Sequence, residues 1–261
     1  MLGSPPEMST ISRRNFLKIF GLSLPAVAGI DTCLIEPRRL EVKQLQLGHD
    51  PQCQFVHFSD LHYRGDAEFA AEVVQTINAL KPQFVCFTGD LIEQPEYLAE
   101  ALSFIRQIET PVYGAPGNHD YFSRAPFIEF ARVFNATGGS WLVDQSIVLP
   151  EKDLEIVGMA YAGIHAFRPP QAARRLLLLH YPAMADQLGK PFDLILSGHS
   201  HGGQIRLPLY GPLLIPDGVG RYDRGLFQTP NGPLYVNAGI GTLSTIPVRW
   251  NCPPEITLVR I

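Results

Sequence analysis

The chain has 261 residues, 46% of them hydrophobic and 18% charged, with 23 Gly and 23 Pro. This is an ordinary globular composition, long enough to bury the core of one large domain or two small ones. A formal net charge of −4, with no block of Lys and Arg in the body of the chain, argues against a nucleic-acid partner.

In chain order, residues 1–30 read as a targeting segment. Ser12-Arg13-Arg14-Asn15-Phe16-Leu17-Lys18 precedes an apolar stretch, Ile19 to Ile30, that contains Ala26-Val27-Ala28. Basic residues, a short apolar run and an A-x-A site make a secretory signal, and the paired arginines resemble the twin-arginine type. The run is shorter than the roughly 20 residues that span a bilayer, so cleavage after Ala28 is expected, with retention as an anchor the alternative. An amphipathic first helix with two solvated arginines is the plainer reading of the same residues. Residues 31–52 read as a linker and 53–261 as one domain.

Gln54 to Phe58 is a strand. Ala67 to Leu80 is an amphipathic helix, with Phe69, Val73, Ile77 and Leu80 at helical spacing and Pro82 beyond its end. Phe84 to Phe87 and Val112 to Ala115 are further strands, separated by a helix from Pro95 to Ile108 with Pro in its first turn. Phe127 to Phe134 is helical and stops at Gly138-Gly139. Strand runs Ser146 to Leu149 and Leu154 to Met159 flank a charged turn. Leu176 to Leu179 and Leu194 to Leu196 are short apolar strands around a modest helix, Ala183 to Leu188. The remainder is Gly- and Pro-rich with hairpin signals such as Pro230-Asn231-Gly232. Strand–helix alternation followed by hairpins predicts an α/β sandwich with chemistry in the loops at strand ends.

Five motifs follow these apolar runs: Asp60-Leu61-His62, Gly89-Asp90, Gly117-Asn118-His119-Asp120, Leu179-His180 and Gly198-His199-Ser200-His201. They contain five of the eight histidines. An isolated Asp-x-His is usually a capping turn, Gly-Asp a common turn dipeptide, and a lone His after a Leu run a core histidine. Together they supply carboxylate, imidazole and amide ligands that suit Mn²⁺, Fe²⁺ or Zn²⁺, with no thiolate among them. Two metals roughly 4 Å apart need a shared ligand, and Asp90 is the candidate bridge, with Gly89 letting the backbone come close. His49, His57 and His165 remain ordinary histidines. The four cysteines show no CxxC spacing, Cys86 reads as core, and Cys33 lacks a lipoprotein context.

With these residues the chain resembles the calcineurin-like metallophosphoesterases, over about residues 54 to 261. The matching text is Ser59-Asp60-Leu61-His62, Thr88-Gly89-Asp90, Gly117-Asn118-His119-Asp120, Leu179-His180 and Gly198-His199-Ser200-His201-Gly202-Gly203-Gln204. The resemblance implies a four-layer αββα sandwich and two divalent metal ions. Asp60, His62 and His201 would hold one metal, Asn118, His180 and His199 the other, with Asp90 between them. It makes His119 the catalytic histidine. Glu93, where the wider family often has Asp, and Asp120 are the candidates for orienting it. The expected chemistry is in-line attack on phosphorus by a hydroxide held between the metals, with His119 serving the leaving group.

The substrate is a phosphoester, monoester or diester. Export, by a twin-arginine translocase that carries folded and hence metal-loaded proteins, points to the periplasm, cell wall or outer face of the cytoplasmic membrane and to a lipid or envelope component. The general pattern is similar to a bacterial envelope branch that includes phosphodiesterases. The apolar stretch Leu207 to Pro216 reads first as a buried hairpin of the sandwich and second as a lip facing a lipid or membrane surface. Arg64, Arg124 and Arg221 are either phosphate clamps or solvated surface residues. A pyrophosphatase acting on a UDP-linked diacylglucosamine is the alternative enzyme, set against the export signal. A non-catalytic metal-binding scaffold is the alternative of another class, set against the complete ligand set.

Overall fold

The computed structural model describes residues 31–160 and 169–261, so the targeting segment and His165 lie outside the described residues. The strands are β1 (Glu41–Gln46), β2 (Gln54–Phe58), β3 (Val85–Phe87), β4 (Val112–Gly114), β5 (Ser140–Trp141), β6 (Gln145–Leu149) and β7 (Leu154–Gly158). They continue with β8 (Arg174–Leu178), β9 (Leu194–Ser197), β10 (Arg206–Leu207), β11 (Gly211–Pro212), β12 (Gly225–Thr229), β13 (Gly232–Val236) and β14 (Glu255–Arg260). The α-helices are α1 (Ala67–Ala79), α2 (Leu98–Ile105), α3 (Asn118–Phe122) and α4 (Phe127–Ala136).

Two six-stranded sheets result, ordered β1-β14-β2-β3-β4-β5 and β12-β13-β9-β8-β7-β6, with a separate two-stranded β10–β11 hairpin. Period-two alternation sorts the side chains into layers. Phe55, Cys86, Leu176, Leu178, Leu194 and Leu196 fill the space between the sheets. Val56, Phe58, Val85 and Phe87 turn outward to meet Phe69, Val73 and Ile77 of α1, Leu102 of α2 and Phe130 and Phe134 of α4. On the far side, Leu177, Ile195, Leu234 and Val236 pack against Ala185, Leu188, Phe192 and Tyr222. The α/β sandwich with flanking helices is as the sequence predicts.

Local chemistry explains most boundaries. Asp66 caps α1 by accepting the Phe69 N–H at 3.2 Å, and α1 ends before Pro82 as expected. Pro95 opens a 3₁₀ turn, Pro95–Tyr97, before α2 begins, and the expected helix ends at Ile105 rather than Ile108. The expected helix at Ala183–Leu188 is a 3₁₀ segment, Pro182–Gln187, which contributes Ala185 to the cover of the second sheet. Cys86 is core as expected, and all four cysteines are free.

Two expectations are overturned. Residues 31–52 are not simply a linker: β1 pairs in parallel with β14, from Glu41↔Glu255 to Gln46↔Arg260. As an edge strand it buries only Leu45, so its sequence lacks the apolar alternation of an inner strand. Leu207 to Pro216 is not buried in the sandwich either: its residues form the β10–β11 hairpin and a following loop that stand outside both sheets, with Leu209, Tyr210 and Leu214 exposed.

Parallel pairing sets the site. β2, β3 and β4 run in one direction, and β13, β9 and β8 are likewise parallel, so the loops after them gather at one edge of each sheet. The two edges meet where the His199 N–H contacts both Asp60 carboxylate oxygens at 3.0 and 3.1 Å.

Candidate metal centre

All seven ligand positions named from the sequence converge. Asp60 and His62 follow β2, Asp90 follows β3, Asn118 opens α3 after β4, His180 follows β8, and His199 and His201 follow β9. Every one is buried. Donor atoms of Asp60, His62 and His201 lie within 4.8 Å of one another, as do those of Asp90, His180 and His199. His180 Nε2 is also 3.0 Å from Asn118 Oδ1, which places the amide with the second set.

Asp90 joins the two sets. Its Oδ2 is 3.5 Å from His62 Nε2 and 3.2 Å from His180 Nε2. Its Oδ1 instead accepts the His119 backbone N–H at 2.8 Å. The carboxylate therefore faces both sets through one oxygen and is anchored through the other, a more specific arrangement than two oxygens shared between two ions.

The backbone here is shaped around the donors. Asp60, His62, Asp90, His199 and His201 all have positive φ, between 42° and 68°. For non-glycine residues this left-handed region is uncommon and strained, and such strain concentrates at functional sites. The motif glycines leave room for the carboxylates. A Cβ on Gly117 would overlap Asp90 Oδ1, and one on Gly198 would overlap Asp60 Oδ2 and Ser59 Oγ.

Neighbouring acceptors fix which ring nitrogen His180 and His199 offer. His180 Nδ1 meets the Thr88 carbonyl at 2.6 Å, leaving Nε2 for the site. His199 Nε2 meets the Asp217 carbonyl at 2.7 Å, leaving Nδ1. His62 Nδ1 lies 3.1 Å from Glu93 Oε1, and its Nε2 faces His201 Nε2 at 3.1 Å. Two buried imidazole nitrogens pointed at each other, beside a carboxylate, form a cation-binding donor set.

The charges support the same reading. Neither Asp60 nor Asp90 has a Lys or Arg within ion-pair distance among the described residues. Positive charge must then come from imidazoles or bound cations. Burial opposes charge on His62 and His180, but Asp90, with Glu93 and Asp60, outweighs it and pushes them up to about 10 and about 9. Burial, helped by the His180 charge, takes His199 down to about 3, and burial raises the Asp60 carboxyl. Against burial, His180 and His62 hold Asp90 well below the usual carboxylate range. The donor set of carboxylate, amide and imidazole fits two borderline divalent ions.

His119 stands at the rim, half-buried, its ring edge-on to His62 with centroids 4.8 Å apart. Burial lowers its basicity. The two residues expected to orient it do other work. Glu93 contacts His62 and accepts the Ser244 N–H at 3.1 Å, although its carboxylate lies within 4.8 Å of a His119 ring nitrogen. Asp120 accepts the N–H groups of Asp90, Leu91 and Gly117 at 2.8–2.9 Å, clamping the Asp90 loop to the start of α3. Its place in the first turn of α3 turns its carboxylate back toward those N–H groups rather than toward the imidazole.

Arg64 reaches the edge of the site, 3.7 Å from Glu93 and hydrogen-bonded to Thr242 at 3.0 Å. Arg221 lies over the Tyr222 ring and Arg124 is exposed. His57 is a buried neutral histidine against Thr88 Oγ1 at 3.0 Å, and His49 is exposed. Sequence reasoning gives no role to Thr88, although it stands in the Thr88-Gly89-Asp90 motif, and misses Asp217; both act through backbone carbonyls. It also misses Arg249, whose buried guanidinium donates to the carbonyls of Ala238, Gly239 and Gly241. The Gly239–Gly241 turn in turn holds the backbone of Ser59 and Asp60.

Known proteins carry the same pattern. The calcineurin-like phosphoesterase profile matches residues 53–203. YkuE of Bacillus subtilis (strain 168), an uncharacterized metallophosphoesterase, is 31% identical, covering 97% of this chain and 99% of its own. The phosphodiesterase YaeI of Escherichia coli (strain K12) is 28% identical, covering 96% and 99%. The UDP-2,3-diacylglucosamine pyrophosphatase LpxG of Chlamydia trachomatis is 27% identical, covering 92% and 94%. The chain, with its buried carboxylate–histidine cluster, belongs to the calcineurin-like phosphoesterase family, whose members are metal-dependent phosphoric ester hydrolases.

Proposed function

We propose that this protein is a phosphodiesterase with two divalent ions, Mn²⁺, Fe²⁺ or Zn²⁺, working in the cell envelope after twin-arginine export. The observation that carries the chemistry is Asp90 Oδ2, which faces both donor sets at once. Bound there, two cations would neutralise phosphoryl oxygens and acidify a water for in-line attack. The chain's own residues do the rest. Asp60, His62 and His201 hold one side, Asn118, His180 and His199 the other, and Asp90 ties them together. His119, at the rim, hands a proton to the leaving oxygen. Glu93 keeps His62 aimed with Nε2 inward.

Location is supported by the order of residues in the first 30 positions, basic then apolar then Ala-x-Ala. Protein reconstituted with Mn²⁺ should hydrolyse bis(p-nitrophenyl) phosphate, and fractionation should find it outside the cytoplasm. No turnover with two ions bound per chain would end the catalytic reading in favour of a scaffold. The similarity to LpxG favours a second reading, cleavage of a pyrophosphate in a nucleotide-linked glycolipid. Hydrolysis of UDP-2,3-diacylglucosamine in preference to simple diesters, with protein on the cytoplasmic face, would select it.

A further inference from the structure

Ten consecutive residues, Leu207-Pro208-Leu209-Tyr210-Gly211-Pro212-Leu213-Leu214-Ile215-Pro216, carry no charge. Leu209 is fully exposed, Tyr210 is 75% exposed and Leu214 67%, with Leu213 and Ile215 also open to solvent. Single exposed apolar residues are ordinary, but five within seven positions, on one hairpin and the loop after it, mark a surface that meets something apolar.

The hairpin adjoins the metal centre. Gly203, two residues after His201, packs so closely on it that a Cβ would overlap Pro212. Asp217, two residues after Ile215, holds His199 through its carbonyl.

The same edge receives the N-terminal segment. The Leu213 N–H donates to Ile205 O, Arg206 N–H to Trp250 O, Trp250 N–H to Gln204 O, and Arg249 N–H to Thr32 O. Three neighbouring-strand spacings thus connect the hairpin to Thr32, a span of about 15 Å. Thr32 is two residues past the apolar run Ile19–Ile30, which follows Arg13, Arg14 and Lys18. Leu34 and Ile35, 67% and 53% exposed, extend the apolar surface at that end.

We infer that this edge docks on a lipid bilayer, with Leu209 and Tyr210 of the hairpin turn and Leu213–Ile215 of the loop after it seated in the interface, on the side of the domain where Thr32 packs. Uncharged exposed leucines with one tyrosine, on a short hairpin and the loop after it, suit the headgroup boundary, where Tyr is favoured. Docking there presents the metal centre to phosphoesters carried by membrane lipids, a substrate class that rests on the proposed phosphodiesterase reading. The docking itself does not rest on it.

The test uses the full chain with Tyr210→Trp and vesicles of phosphatidylcholine and phosphatidylglycerol. Emission attributable to position 210 should shift to the blue and be quenched by brominated lipid. L209S/L214S should weaken vesicle binding about tenfold or more, since each leucine loses its apolar transfer on docking. That variant should keep its rate on bis(p-nitrophenyl) phosphate and lose about tenfold on a lipid-tailed phosphodiester in vesicles. Vesicle-bound Tyr210→Trp protein whose emission at position 210 stays unshifted overturns the inference, as does equal loss on both substrates. A blue shift that needs protein concentration but no vesicles also overturns it, in favour of a second copy. Failure of the wild type to cleave any diester, with the Tyr210→Trp emission still quenched by brominated lipid, would sink the activity reading and leave the docking intact.

Discussion

Replacing Asp90 by Asn tests the centre most directly, because the change keeps shape and removes charge. Asn retains an oxygen for the His119 N–H, which Asp90 Oδ1 accepts at 2.8 Å, and the backbone N–H to Asp120 is untouched. What is lost is the anionic oxygen that faces His62 Nε2 at 3.5 Å and His180 Nε2 at 3.2 Å. An ion held among these donors sits near that oxygen, and a unit charge pair at about 4 Å is worth roughly 4 kcal/mol at an effective dielectric of 20. Each ion should then bind about a thousandfold more weakly. Calorimetric titration with Mn²⁺ and metal analysis after dialysis should show two ions per wild-type chain and one or none in the variant. Circular dichroism should be unchanged. Two retained ions with affinity within tenfold of wild type would refute the shared-ligand argument.

His119→Ala should keep both ions, since His119 offers the site no donor needed by either set, and should lower kcat on a phosphodiester about 10²–10⁴-fold; loss of metal instead would make His119 a ligand. Glu93→Gln separates two roles. If Glu93 works through His62, metal affinity should fall about 10–100-fold; unchanged affinity with a lowered rate would return it to His119. His57 gives a pH prediction. Burial lowers its pKa to about 3 from an unfolded value of 6.5, so the native state binds fewer protons between those values. The stability it contributes is fully present above pH 6.5 and falls by about 1.4 kcal/mol per unit as pH drops toward 3. Urea unfolding of wild type and His57→Gln at pH 6 and pH 4 should show a steeper loss in wild type, and parallel losses would refute it.

The candidate ligands are legible because each stands at the end of an apolar strand, and a parallel sheet turns such ends into neighbours. Asp60 and Gly198 lie far apart in the chain, yet Gly198 has no room for a Cβ beside Asp60 Oδ2. The supporting residues are not legible, for different physical reasons. Thr88 and Asp217 act through carbonyls, which any residue possesses. Arg249 lies isolated between Val248 and Trp250, and nothing in sequence separates a buried arginine from a solvated one. β1 escapes notice because an edge strand needs only one buried side chain. The β10–β11 hairpin misleads for the opposite reason: apolar residues ordinarily signal burial, and here they face outward.

Glu93 and Asp120 show why motif spacing places a residue more reliably than it assigns a role. Both lie where an orienting carboxylate is expected, within one turn of a ligand. Asp120 is committed to three N–H groups from two loops, and burial together with the Asp90 charge raises its carboxyl to about 7. Weakened acidity with full hydrogen bonding is the state of a structural acceptor, not of a group poised to polarise an imidazole. Glu93, by contrast, is drawn down to about 2 by His62 and Ser244 against the effect of burial, so it stays anionic behind His62 across the physiological range. A fixed negative charge behind one ligand histidine makes its inward nitrogen a stronger donor. The asymmetry between the two sets, with Glu93 behind His62 and, among the described residues, backbone carbonyls behind His180 and His199, would give two bound ions different donor strengths. On that geometry the Asp60–His62–His201 position is the tighter of the two and should fill first in a titration.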